Sequence, residues 1–131
     1  DAELATLETE IGARLAPLAG RPYVVFHDAY QYLERRYGLA PSGSVSVSPD
    51  VTPSARRITA LRRKIAGLKA VCVFSEPQFQ PRLVDTIIEG TPARRGTLDP
   101  LGAAIPAGPD HYFSLLRGLA SNLATCLAGP A

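Results

Sequence analysis

Short runs of apolar or small residues alternate along this chain with longer segments in which apolar residues recur at helical spacing. Strands that alternate with helices pair in parallel through right-handed crossovers. The sequence therefore predicts an α/β fold with a four-stranded parallel sheet and helices on both faces. The predicted strands are residues 23–26, 44–47, 70–74 and 93–98, a turn is predicted at 41–43, and the predicted helices cover about 1–18, 29–37, 53–68, 81–89 and 110–127.

One of the two histidines of the chain lies where a buried strand is predicted to end. The apolar run 23–26 is typical of a parallel strand that is covered on both faces, and His27 follows it directly. Asp28 and Gln31 fit a capping box, which predicts Asp28 as the N-cap of a helix that begins at residue 29. His27 is therefore expected at the carboxyl edge of the sheet, where open α/β sheets bind ligands.

Two carboxylates are expected at the same edge, because Glu76 and Asp99 each follow a predicted strand. Imidazole is the commonest protein ligand for metals, and a carboxylate can bind a metal directly or orient a water bound to it. The residues alone leave alternatives open. His27 could be a core histidine bonded to a backbone carbonyl. Glu76 could stabilise a turn beside Pro77, and Asp99 could cap the turn before Pro100.

Length and composition limit the classes of function. A chain of 131 residues, 46% hydrophobic and 20% charged, is typical of one globular domain. The net charge of +2 and the scattered arginines do not favour nucleic-acid binding. No apolar run approaches the roughly 18 residues of a membrane span.

The sequence contains no nucleophile elbow, P-loop or GxGxxG motif. We expect the second histidine, His111, to lie at the surface rather than in a site.

Three motifs in order carry a family resemblance: FHDAY at residues 26–30, EPQF at 76–79 and TLDPLG at 97–102. Together they make the chain similar to the C-terminal lobe of the ZnuA family, the periplasmic zinc-binding components of bacterial zinc ABC importers. The resemblance runs from about residue 15 to 127. It implies a solute-binding protein without enzymatic activity. Such a protein captures periplasmic zinc between two lobes and delivers it to a membrane permease.

The resemblance also implies which residues serve that site. His27 is expected to be a zinc ligand, Asp99 to lie at the cleft, either coordinating or just outside the ligand set, and Glu76 to stand behind His27. The other ligands would belong to an N-terminal lobe. Residues 1–20 would be the end of the helix that joins the lobes, and 21–131 the C-terminal metal-binding lobe. An imidazole-led site suits zinc better than manganese, which prefers oxygen ligands.

The two cysteines, Cys72 and Cys126, leave two interpretations on sequence alone. Cys72 lies in a predicted buried strand and Cys126 near the end of the last helix, so both could be buried free thiols. The family resemblance implies that they form a disulfide, which in turn implies an oxidising compartment.

A different class of protein stays open on the residues alone. The first predicted helix begins in the middle of its apolar pattern, which suggests a piece of a longer protein and fits the receptor. The alternative is a free-standing small α/β enzyme, hydrolase-like, that uses His27 as a general base.

Overall fold

The computed structural model describes residues 2–45, 47–103 and 105–129, and within them the elements alternate as predicted. The elements are α1 (Ala2–Leu15), a 3₁₀ turn (Ala16–Leu18), β1 (Tyr23–Val25), α2 (Gln31–Tyr37), β2 (Pro41–Ser44), α3 (Ala55–Gly67), β3 (Cys72–Ser75), α4 (Pro81–Ile88), β4 (Arg94–Thr97) and α5 (His111–Ala128). The four strands form one sheet in the order β2-β1-β3-β4, and all three neighbouring pairs are parallel. The predicted α/β fold is confirmed.

The sheet has a hydrophobic core on each face. Tyr23 and Val25 of β1 belong to a cluster built with α1, α2 and α5. Val24 of β1 and the next residue, Phe26, belong to a second cluster built with α3 and α4. Because successive residues of a strand face opposite sides, this division places helices on both faces of the sheet, as predicted. β1 and β3 are the interior strands, and every residue in them is buried.

The first helix is part of the core. Leu7, Ile11 and Leu15 of α1 are buried in the same cluster as the residues of α5. The α-helix ends at Leu15 instead of continuing to residue 18, and a 3₁₀ turn that contains Pro17 follows. Proline has no N–H and its ring clashes with the preceding turn of an α-helix, which explains the earlier end. Within the described residues, no helix is both long and apolar enough to cross a membrane.

The predicted position of the second strand is wrong. The structure places β2 at Pro41–Ser44, over the predicted turn at 41–43 and only the first residue of the predicted strand 44–47, and pairs it with β1. Ser46 of the predicted strand lies outside the described residues. β2 is an edge strand, where proline is tolerated and small residues are sufficient. The backbone N–H of Val45 still donates to the carbonyl of Val25 at 3.0 Å, but pairing begins before the apolar residues. Proximity to β1, rather than apolar content, therefore determines which residues pair.

The start of α2 also differs from its prediction. The helix begins at Gln31 with Tyr30 as its N-cap residue, so Asp28 is not the cap. The predicted pair does interact, since the side-chain amide of Gln31 donates to Asp28 Oδ2 at 2.9 Å. Before the helix, Ala29 N–H donates to the carbonyl of His27 at 2.9 Å, and this local turn delays the helix.

A disulfide connects the sheet to the last helix. Cys72 of β3 and Cys126 of α5 are bonded, with their Cα atoms 6.2 Å apart. Both residues are buried in the core between the sheet and α5. The pairing implied by the family resemblance is therefore confirmed.

Candidate metal centre

His27 and Glu76 meet at the carboxyl edge of the sheet. His27 lies two residues beyond β1 and Glu76 directly follows β3. β1 and β3 are paired in parallel, so the residues that follow them emerge side by side. Nδ1 of His27 lies 3.2 Å from Oε2 of Glu76. The pairing of His27 is therefore with a carboxylate and not with a backbone carbonyl.

The two side chains differ sharply in exposure. The imidazole of His27 is 64% exposed, whereas the side chain of Glu76 is 6% exposed. An ionised carboxylate can only accept hydrogen bonds, so the contact requires Nδ1 of His27 to carry the proton. No described residue bonds to Nε2 of His27. An exposed imidazole with a carboxylate on Nδ1 and a free Nε2 is the arrangement that zinc-ligating histidines adopt.

Two further donors hold Glu76, and sequence analysis did not identify either. The buried hydroxyl of Tyr30 donates to Oε2 of Glu76 at 2.9 Å, and the side-chain amide of Gln78 donates to Oε1 at 2.7 Å. Burial and the neighbouring Glu76 raise the pKa of Tyr30, with smaller contributions from Asp99 and Glu34, so the phenol stays protonated as a donor. The sequence marked these two donors only by their position, since Tyr30 lies in the same motif as His27 and Gln78 in the same motif as Glu76.

Asp99 lies beyond β4, and its carboxylate faces its own loop. Oδ1 accepts from the backbone N–H of Leu101 at 3.0 Å, and Oδ2 accepts from that of Ala103 at 2.7 Å. Both oxygens therefore stabilise the turn that follows β4. A carboxylate has about four lone-pair positions, so each oxygen keeps capacity for a further partner.

An open cavity of about 650 Å³ lies next to His27 and Glu76. The segments that follow all four strands border it, with Pro49 after β2, Phe79 after β3 and Leu101 after β4. Six of the ten described lining residues are apolar, and the polar ones are His27, Glu76, Ser48 and Gln78. A concave site with few polar groups at the strand ends is typical of ligand binding.

The described residues supply an incomplete ligand set. Nowhere in 2–45, 47–103 and 105–129 do three His, Cys, Asp or Glu side chains form a group that could hold a metal ion. The other histidine, His111, lies at the start of α5, half-buried, with Nδ1 3.4 Å from the carbonyl of Pro106. The edge of the sheet therefore offers one well-oriented imidazole.

The parallel sheet, the cavity at its strand ends and the imidazole oriented by a carboxylate define an α/β ligand-binding domain. Comparison with known proteins narrows this class. The family model for ZnuA, described as "Zinc-uptake complex component A periplasmic", matches residues 1–126, and the chain belongs to this family. The family is one of transport components, and its description gives no support to the alternative of a small enzyme.

Individual relatives agree with this assignment. The high-affinity zinc uptake system protein ZnuA of Brucella suis is 52% identical over 126 residues, which are 96% of this chain and 38% of that protein. A crystal structure of ZnuA is similar at 30% identity, with a TM-score of 0.70 over 96% of this chain and 46% of that one. A zinc-bound ZnuA deletion mutant is 29% identical, with a TM-score of 0.69 over 99% and 46% of the two chains. The chain thus spans less than half the length of each.

Proposed function

We propose that this chain is the C-terminal metal-binding lobe of a high-affinity zinc-uptake receptor. The receptor captures zinc in the periplasm and delivers it to the membrane permease of an ABC importer, with no catalytic step. The observation that carries the proposal is the exposed imidazole of His27, which the buried carboxylate of Glu76 orients through Nδ1 at 3.2 Å. We propose zinc as the metal because the chain belongs to the zinc-uptake family.

In this proposal His27 is the zinc ligand and binds through Nε2. Glu76 stays behind the imidazole, because its oxygens already accept from Tyr30, Gln78 and His27 itself. Asp99 belongs to the same edge and holds the loop that carries Leu101 to the rim of the cavity. A direct bond from Asp99 to zinc would use the lone pairs that the loop amides leave.

We propose that ligands from outside this chain complete the site. Zinc in proteins is usually held by about four ligands, and the described residues bring one imidazole to the cavity. We propose that an N-terminal lobe completes the site from the opposite side, in keeping with relatives that are more than twice as long. Residues 1–20, which contain α1 and the 3₁₀ turn, would then end the helix that connects the lobes, and 21–131 would form the C-terminal lobe.

The test is calorimetric zinc titration of the full-length receptor with His27→Ala. We expect zinc affinity to fall at least about tenfold, roughly 1.4 kcal/mol. The melting temperature should not change, since the imidazole is 64% exposed. The matched control is His111→Ala, which removes the other histidine of the chain and should leave the affinity unchanged. Equal affinity for the wild type and His27→Ala would rule out the proposed site.

A further inference from the structure

Oε2 of Glu76 accepts from two groups at once. The hydroxyl of Tyr30 lies 2.9 Å from this oxygen, and Nδ1 of His27 lies 3.2 Å from the same atom. As whole residues, Tyr30 is 6% exposed and Glu76 is 5% exposed, so the hydrogen bond between them is shielded from water. The side-chain amide of Gln78 holds the other oxygen of Glu76 from an exposed position. The carboxylate is therefore fixed on both oxygens, with the buried bond on the oxygen that faces His27.

The hydrogen bond from Tyr30 restricts how the carboxylate can meet the imidazole. A neutral histidine has one N–H, which can be on either ring nitrogen, and the partner of one nitrogen decides the tautomer. A carboxylate held in place accepts from Nδ1–H and so leaves Nε2 without a proton. If the carboxylate could turn away, the tautomer with the proton on Nε2 would become populated, and that tautomer cannot bind a metal through Nε2.

We propose that Tyr30 is a positioning residue of this site. Its hydroxyl holds the Glu76 carboxylate against Nδ1 of His27, which selects the tautomer whose Nε2 is free for an incoming divalent metal. The metal-binding consequence rests on the proposed function, whereas the tautomer of His27 does not. Partners of metal-binding histidines typically change metal affinity by 10- to 100-fold when they are altered.

The fold contains a matched control for Tyr30. Tyr23 donates to Oε2 of Glu34 at 2.5 Å, and both of these residues are buried. Each tyrosine thus makes a buried hydrogen bond to a glutamate, but in the described residues no histidine forms a hydrogen bond with Glu34. Tyr30→Phe and Tyr23→Phe remove the same kind of bond, and only Tyr30→Phe removes it from the carboxylate that contacts His27.

The experiment measures the tautomer of His27 by long-range ¹H–¹⁵N NMR in the metal-free, full-length receptor. Spectra are recorded under mildly alkaline conditions so that imidazoles are neutral, and the His27 signals are assigned by their loss in His27→Ala. The wild type should show Nδ1 protonated and Nε2 unprotonated. Tyr30→Phe should shift the signals towards a mixture of tautomers, and Tyr23→Phe should leave them at the wild-type positions. Zinc affinity should fall about tenfold in Tyr30→Phe and stay unchanged in Tyr23→Phe.

Each outcome has a defined meaning. A wild-type spectrum with the proton on Nε2 overturns the inference without any variant, so the test does not depend on Tyr30→Phe folding. Wild-type signals in Tyr30→Phe, or an equal shift in Tyr23→Phe, overturn it as well. A tautomer shift confined to Tyr30→Phe supports it. If that shift occurs while His27→Ala binds zinc as the wild type does, the positioning role stands and the proposed zinc site fails.

Discussion

Tyr23 and Glu34 form a hydrogen bond of 2.5 Å inside the core that α1 and α5 pack against the sheet. Burial raises the pKa of Glu34, the hydrogen bond from Tyr23 lowers it by a smaller amount, and the negative charge of Asp28 raises it further. The pKa of Glu34 is therefore raised overall, so the folded protein holds a proton on Glu34 at pH values where an unfolded chain has released it.

This shift predicts a pH dependence of stability. Between the ordinary pKa of a glutamate, about 4.3, and the raised pKa of folded Glu34, the native state binds more protons than the unfolded state. The free energy of unfolding should therefore fall as pH rises through that window. Glu34→Gln keeps an acceptor for Tyr23 but cannot ionise, so it should lose this part of the dependence. Urea unfolding of the wild type and Glu34→Gln at several pH values tests this prediction. A difference in free energy of unfolding that stays the same at every pH would contradict it.

The second prediction concerns the disulfide between Cys72 and Cys126, which are 54 residues apart. Closing a loop of this length stabilises the fold by about 4 kcal/mol in the chain-entropy model. Reduction should therefore lower the melting temperature clearly, and a Cys72→Ala, Cys126→Ala double variant should not respond to reductant. Thiol titration of the unfolded, unreduced protein should detect no free thiol; two reactive thiols would refute the bond.

The third prediction concerns Gly96, the β4 residue that pairs with Phe74 of β3. A Cβ on Gly96 would lie 2.6 Å from Cδ1 of Phe74 and 3.3 Å from Cβ of Cys126, so there is no room for a side chain under α5. Gly96→Ala should lower the free energy of unfolding by about 1–3 kcal/mol through overpacking.

The control for Gly96 is Gly118→Ala. Gly118 lies inside α5, and a Cβ there would have nothing within 4 Å. This substitution should leave the fold intact and raise the free energy of unfolding by up to about 1 kcal/mol, because alanine favours a helix interior. Equal stability of Gly96→Ala and the wild type in denaturant unfolding would contradict the prediction and show that the ring of Phe74 and α5 can shift to admit a methyl group.

The fourth prediction distinguishes the two roles of Asp99. Its oxygens accept from the backbone of Leu101 and Ala103, so Asp99→Ala should speed amide hydrogen exchange at those two residues. Because the carboxylate is engaged by the loop, zinc affinity of the full-length receptor should fall less than in His27→Ala. An equal or larger loss of affinity would instead identify Asp99 as a direct ligand.

The fifth prediction follows from the number of ligands. The 131-residue chain alone should bind zinc far more weakly than the full-length receptor, because zinc held by one imidazole keeps water in its other positions. Zinc titration of both proteins under the same conditions is the measurement, and His27→Ala in the short chain gives the background. Binding by the short chain as tight as that of the full-length receptor would mean that the ligand set is complete without a second lobe.

The α/β class and the edge that holds the site were predictable from sequence for a local reason. Apolar strands such as 23–26 alternate with amphipathic helices, and parallel neighbours must end at the same edge of a sheet. Polar residues that follow such strands within one or two positions, as His27 and Glu76 do, are therefore brought to one place by the strands themselves. The contact between His27 and Glu76 follows from the pairing of β1 with β3.

Local patterns failed where a residue's role depends on its neighbour in space. β2 begins at Pro41, three residues before the predicted strand 44–47, because this segment lies beside β1 at the edge of the sheet. Asp28 has the sequence of a helix cap, but the turn at His27 shifts the start of α2 to Gln31.

The sequence by itself determined the order of the elements, the parallel sheet and the position of His27 and Glu76 at its carboxyl edge, since these depend on apolar periodicity along the chain. Only the tertiary structure decided what the side chains at that edge do. In the folded structure Glu76 is buried and accepts from Tyr30 and Gln78, and the carboxylate of Asp99 accepts from a backbone N–H of its own loop. The hydrogen bond from Tyr30 joins residues 46 positions apart in the chain, whereas those at Gln78 and Asp99 join near neighbours. All of them depend on the distance and direction between the two groups, which periodicity does not encode.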